Sequence, residues 1–141
     1  MEKVTVFLGG TCNGSTWRDE LLQMINPEKI DAFNPVVEHW DEKAQIEEDY
    51  HKANDDYCLY VLTPEMKGVY GVFEVALDAG RRPGRVIFCA LPKRGDKEFD
   101  PFVQKNILKM KKDLVLSGVM VCEDLNQVAS LLEELSHQQI L

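Results

Sequence analysis

The stretch Tyr57-Cys-Leu-Tyr-Val-Leu62, with Thr63-Pro-Glu-Met-Lys-Gly68 and Val69-Tyr-Gly-Val-Phe-Glu-Val-Ala-Leu-Asp-Ala-Gly80 behind it, decides the fold. Six apolar residues in unbroken succession suit a strand buried on both faces, and such strands belong to parallel sheets covered by helices. The Pro- and Gly-bearing segment 63–68 reads as a loop. Residues 69–79 show helical spacing, and Gly80 is expected to close that helix. A second apolar run, 85–91, follows directly. Strand, loop, helix and strand in this order imply a parallel pair joined by a right-handed crossover.

The same alternation extends in both directions. Residues 3–8 read as a first buried strand, 9–14 as a turn, and 16–25 as a helix that Ser15 or Thr16 could cap. Residues 29–33 form a short second strand closed by Asn34-Pro35. Residues 41–54 read as a charged helix with Asp41 at its N-cap. Beyond the central unit come a polar loop over 92–100, a basic amphipathic helix over 101–113, a strand over 118–122 and a closing helix over 124–137. The expectation is an α/β fold: one domain, residues 1–141, built on a doubly wound five-stranded parallel sheet in the flavodoxin-like order.

Composition excludes several classes. The chain has 141 residues and a net charge of -8, whereas nucleic-acid binding calls for a basic footprint. No apolar run approaches the roughly 20 residues of a membrane span. Residues 1–8 read directly as a strand, with no signal-peptide pattern, so a cytoplasmic location is expected. Cys12, Cys58, Cys89 and Cys122 form no CxxC pair and read as reduced structural thiols. With His39, His51 and His137 they make no metal-ligand spacing, so neither a metal nor a cofactor is expected. Charge is uneven: ten of the sixteen Lys and Arg residues lie between Arg81 and Lys112, opposed only by Asp96, Glu98 and Asp100. That segment reads as a solvated face, a subunit contact or a phosphate-binding rim.

In an open α/β sheet, ligands bind beyond the carboxyl ends of the strands. Glu74, at the start of the helix after the third strand and among small and apolar residues, is the leading candidate for chemistry there. A partly desolvated carboxylate can act as nucleophile or general base, although a Glu near a helix start is more often a dipole partner. The tip of the first strand offers Gly9, Gly10, Thr11 and Asn13. Paired glycines let backbone approach a ligand, but a tight structural turn explains them equally well. No dinucleotide fingerprint or phosphate-loop lysine accompanies them. The second tip offers Asn34 and Trp40, the latter for base stacking or plain packing. The third offers Tyr70 and Gly71. Glu47, Glu48 and Asp49 read either as a solvated helix face or as the source of a second carboxylate. Two carboxylates beside a glycine-lined turn are a kit for cleaving a glycosidic bond.

Three stretches together resemble the nucleoside 2-deoxyribosyltransferase family, in particular its shorter, deoxyribosyltransferase-like branch. They are Val4-Thr-Val-Phe-Leu-Gly-Gly-Thr11 with Trp17-Arg18; Phe33-Asn-Pro35 with Trp40; and Glu48-Asp-Tyr-His-Lys-Ala-Asn-Asp-Asp56, continued through Pro64 to Gly71-Val-Phe-Glu74-Val-Ala-Leu-Asp-Ala79. The likeness covers residues 3–91. It implies Glu74 as nucleophile, Asp49 or Glu48 as the carboxylate that orients the ligand, and Gly9 and Gly10 beneath it. Phe7 stands where the family often has a hydroxyl-bearing aromatic, Lys67-Gly68 where it has a second carboxylate, and Val75-Ala76 where a glycine follows the nucleophile. The resemblance implies a small-molecule nucleoside or nucleotide partner and a homo-oligomer. Two further readings stay open: a non-catalytic module for a nucleotide or ADP-ribose-like ligand, and a nicotinamide dinucleotide glycohydrolase.

Overall fold

The computed structural model describes residues 2–12 and 14–138. Its strands are β1 (Val4–Gly10), β2 (Ile30–Phe33), β3 (Tyr57–Leu62), β4 (Val86–Ala90), β5 (Lys93–Arg94), β6 (Lys97–Glu98) and β7 (Met120–Cys122). Its helices are α1 (Trp17–Met24), α2 (Glu42–Asn54), α3 (Tyr70–Arg81), α4 (Pro101–Leu116) and α5 (Leu125–Gln138), with a 3-10 turn at Pro83–Arg85. Five strands form one parallel sheet in the order β2-β1-β3-β4-β7, the flavodoxin-like arrangement expected from the sequence.

β3 sits at the centre, and its register explains its composition. Leu59 and Val61 point to one side and join Val4, Val6, Leu8, Ile87 and Cys89 under α1 and α5. Cys58, Tyr60 and Leu62 point to the other and join Phe7, Val86 and Phe88 under α3 and α4. Each large side chain buried in these layers contributes roughly 1.5–3 kcal/mol of transfer free energy. Burial pushes the Cys58 and Cys89 thiols up to about 12 and Cys122 to about 11, which makes them inert at neutral pH.

Several local details differ from expectation, among them the end of α4, which runs on to Leu116. Gly80 does not end α3: the helix continues to Arg81, and the Arg82 amide closes it on the Asp78 carbonyl at 2.8 Å. That last turn is held instead by the Arg82 guanidinium on the Asp78 carboxylate at 3.1 Å. Thr16 precedes α1, but its hydroxyl donates to Glu20 at 3.0 Å and caps no backbone amide. The polar segment 92–100 contains the antiparallel pair β5-β6. Arg94 on β5 is drawn down onto α1 by Glu20, with Glu65 at 3.9 Å, and this stabilises the hairpin without an apolar face of its own. Finally, Glu74 stands a full turn inside α3, beyond the reach of an N-terminal capping role.

Asp41 does cap α2, its carboxylate accepting from the Ala44 amide at 2.8 Å. α2 buries none of its residues fully and lies over the β1 and β2 side of the sheet through a few contacts. The His51 ring stacks on Phe33 with centroids 3.8 Å apart, and Arg82 donates to the carbonyls of Lys52 and Ala53.

Candidate active site

The tip of β1 is built around Gly10 and Arg18. Gly10 has φ +109°, and a Cβ there would overlap the Val61 carbonyl oxygen of β3. Only glycine permits this approach. A Cβ at Gly9 would stand 2.8 Å from the Tyr60 ring, so Gly9 makes room for packing beneath the tip. Arg18 enters from α1 almost fully buried. Its guanidinium donates to the Leu8 carbonyl at 2.9 Å, Thr11 at 2.7 Å and Gly10 at 3.3 Å. Trp17 Nε1 donates to the same Thr11 carbonyl at 2.9 Å. These donors satisfy backbone acceptors that the turn would otherwise bury unpaired. Burial lowers the Arg18 pKa, opposed by Cys12 and by the charges of Glu48 and Glu74.

Beyond this tip opens a cleft of about 580 Å³ between the β1 turn, α2 and the start of α3. Glu74 lines it from α3, and Glu48 and Asp49 line it from α2, so the three carboxylates singled out in the sequence share one space. Gly10, Thr11, Tyr70 and Gly71 also line it. Gly71 packs its backbone near the Gly10 Cα, which brings the base of α3 against the β1 tip. Phe7 and Gly9 lie beneath the cleft, outside its lining: Phe7 is buried in the sheet and stacks toward Phe33 at 6.2 Å. Asn34 turns inward on its own chain, accepting from the Val36 amide at 3.0 Å, and Trp40 is half exposed; neither lines the cleft. Asn13 lies outside the described residues.

Sequence reasoning missed the residue that touches Glu74. Lys52, at the end of α2, forms an ion pair with the Glu74 carboxylate, and both side chains are largely buried. Its ammonium stands 5.8 Å from the Phe7 ring centroid and 6.0 Å from that of Tyr70. Burial pulls the Lys52 pKa down, but its hydrogen bond to Glu74 and the charges of Glu74 and Glu48 outweigh this and leave it raised. The available signal was the spacing of Glu48 and Lys52, one helical turn apart on α2. Burial raises the Glu48 pKa; Lys52 works against the rise, Glu74 and Asp49 add to it, and Arg18 opposes it more weakly. Asp49 is engaged by Gln45 Nε2 at 3.0 Å.

A second cleft of about 350 Å³ adjoins the first and shares Asp49, Lys52, Tyr70 and Glu74 with it. Phe73, Leu77 and Arg81 form its outer wall. At its inner end the Tyr60 hydroxyl donates to Asp78 at 2.5 Å, and burial first, then Cys58 and Asp78, keep that phenol protonated far above its ordinary pKa. Among the described residues, no cluster of three or more His, Cys, Asp or Glu side chains could hold a metal ion, and no helix is long and apolar enough to cross a membrane.

The cleft sets a carboxylate on α3 opposite two carboxylates on α2, a pairing of the kind that glycosyl chemistry uses. A comparison with protein-family models matches residues 3–93 to the family described as nucleoside 2-deoxyribosyltransferase like. No curated protein matches the chain. The matched span carries β1, α2, β3 and α3, hence every carboxylate of the cleft, and the chain belongs to the nucleoside 2-deoxyribosyltransferase-like family.

Proposed function

We propose that the protein is an enzyme that breaks the N-glycosidic bond of a 2'-deoxynucleoside or its 5'-monophosphate, with Glu74 as nucleophile. The observation that carries this reading is the convergence of Glu74, Glu48 and Asp49 on one cleft beside the Gly10 turn. A Glu74 oxygen attacks the anomeric carbon, the bond to the base breaks, and its electron pair leaves with the base nitrogen. Glu48 is the better proton donor to that nitrogen, because its carboxyl holds a proton to higher pH than an ordinary glutamate. Asp49, tied to Gln45, orients the sugar or base. A second base then accepts the deoxyribosyl group, or water does.

The adjoining cleft supports a phosphorylated substrate. Arg81 lines it, whereas Arg82 is committed to Asp78 and to backbone carbonyls, and Lys93 to Glu98. We place the enzyme in the cytoplasm as a homo-oligomer. Its inert buried thiols are consistent with a reducing compartment. Tyr70, Phe73 and Leu77 present an exposed apolar stripe beside the cleft mouth, a natural seat for a second copy. We take residues 1–141 as one domain, since α4, β7 and α5 complete both cores beyond the family match.

One observation favours a non-catalytic nucleotide-binding module: Glu74 is already neutralised by Lys52. Product analysis separates the readings. Wild type and Glu74→Ala are incubated with deoxynucleosides, their monophosphates and a nicotinamide dinucleotide, and released bases are identified by mass spectrometry. Base release from a deoxynucleoside or its monophosphate that disappears in Glu74→Ala is the expected result. Calorimetric binding without release from any substrate sinks the enzymatic reading, and release of nicotinamide alone redirects it.

A further inference from the structure

Lys52 belongs to both clefts, and its place is fixed from two sides. Its backbone carbonyl accepts from Arg82, which anchors the end of α2 to α3. Its ammonium pairs with Glu74 while lying near the Phe7 and Tyr70 rings. Esterification of Glu74 removes the charge that holds this ammonium. The rings offer it little compensation, and a buried unpaired charge is costly. Glu48, one turn back on α2 and lining the same cleft, is the carboxylate besides Glu74 whose charge acts on Lys52, while Asp49 gives one oxygen to Gln45.

We propose that Lys52 is a positioning residue that alternates between two carboxylates, holding Glu74 in the free enzyme and moving to Glu48 once Glu74 is esterified, so that Glu48 donates a proton in the first half-reaction and accepts one in the second. The inference rests on the glycosyl-transfer reading above. In the first half-reaction the C1'–N bond breaks as a Glu74 oxygen bonds to C1', and the Glu48 proton goes to the departing nitrogen. In the second, an acceptor base nitrogen or a water oxygen bonds to C1', its proton passes to Glu48, and the ester electron pair returns to Glu74. Protons and charges balance over the cycle, with the acceptor base or water as the second reactant.

The groups facing Glu48 agree with this exchange. From α2 they are Asp49 and Lys52, from α3 Glu74, and from α1 the buried Arg18. Burial raises the Glu48 pKa and Lys52 opposes it, while Glu74 adds to it. Neutralising Glu74 therefore removes a raising influence and frees a lowering one.

Carbon-13 titration of the Glu48 carboxyl in Glu74→Gln, a neutral stand-in for the ester, tests the coupling with or without turnover. Relative to wild type, the midpoint is expected to fall by about one pH unit or more, as a newly close opposite charge does. In the Lys52→Met/Glu74→Gln protein the fall is measured against Lys52→Met and is expected to be less than half as large. Equal falls in the two backgrounds, or no fall at all, overturn the proposal. In kinetics, Lys52→Met slows the second half-reaction roughly tenfold or more, the equivalent of one unit of lost proton affinity tuning. The glycosyl-enzyme then accumulates in the intact-mass spectrum, and Lys52→Arg restores turnover. Equal slowing of both half-reactions, with no rescue by arginine, points to a merely structural lysine and rejects the exchange. A wild-type protein that releases no base defeats the enzymatic reading, while the titration still decides whether Lys52 couples the carboxylates.

Discussion

Gly10 shows how one residue supports the whole cleft. Its φ of +109° lies where side chains are strained, and a Cβ would strike the Val61 carbonyl that accepts the Thr11 amide at 2.9 Å. Gly10→Ala is therefore expected to destabilise the fold by roughly 3 kcal/mol, the upper range for a single strained position. The midpoint of urea unfolding reads this directly, and an unchanged midpoint would refute the assigned strain. Glu74 illustrates the opposite case. Its candidacy was legible from its place after a buried strand, but its ion pair with Lys52 was not. The two residues are 22 positions apart and belong to the helices that precede and follow β3 in the chain, so no local pattern links them. The resemblance favoured Asp49 for the second carboxylate, with Glu48 close behind; what separates them in the fold is burial of Glu48 and the Gln45 hydrogen bond of Asp49.

Among the described α-helices, α2 is the least buried. It contributes no fully buried residue, so little apolar transfer energy opposes its opening. It is held by the Asp41 cap, the His51 stack on Phe33 and the contacts of Lys52 and Arg82. Helices with so few buried contacts sit at the low end of local stability. Hydrogen exchange is expected to show α2 amides exchanging faster than those of α3 and α5, whose apolar faces join the cores. Asp41→Ala should weaken α2 by about 1 kcal/mol and accelerate its exchange, leaving α5 unaffected. Uniform protection across the helices would show that α2 is more firmly seated than its burial implies. The element also explains a gap in sequence reading: its strong cap predicts where it starts, whereas its polar surface says nothing of which face meets the cleft. The β5-β6 hairpin was missed for a related reason, since its polar residues resemble a loop and Arg94 finds its partners on α1 and before α3.

For the whole molecule, charge and exposed apolar surface set behaviour. The basic run from Arg81 to Lys112 is partly neutralised within the fold, Arg82 by Asp78, Arg94 by Glu20 and Lys111 by Glu123. That weakens its case as a docking surface and shifts attention to α3, where Tyr70, Phe73 and Leu77 stand 66%, 54% and 40% exposed. Phe73→Asp is expected to shift the sedimenting species from oligomer to monomer without unfolding the chain. A wild-type monomer at high concentration would remove the self-association reading. The sequence by itself determined the parallel sheet, because unbroken apolar strands alternating with helices can bury their surfaces in few other ways, and the flavodoxin-like order expected from it is the one the fold adopts. It also supplied the family motif and the carboxylates of the cleft, since these sit within single elements whose period is local. Only the tertiary structure decided that Lys52 meets Glu74, that Arg18 braces the β1 tip, and that Phe7, Asn34 and Trp40 stay outside the cleft lining. Those facts depend on which faces of distant elements are brought together, and that is set by packing across the sheet rather than by spacing along the chain.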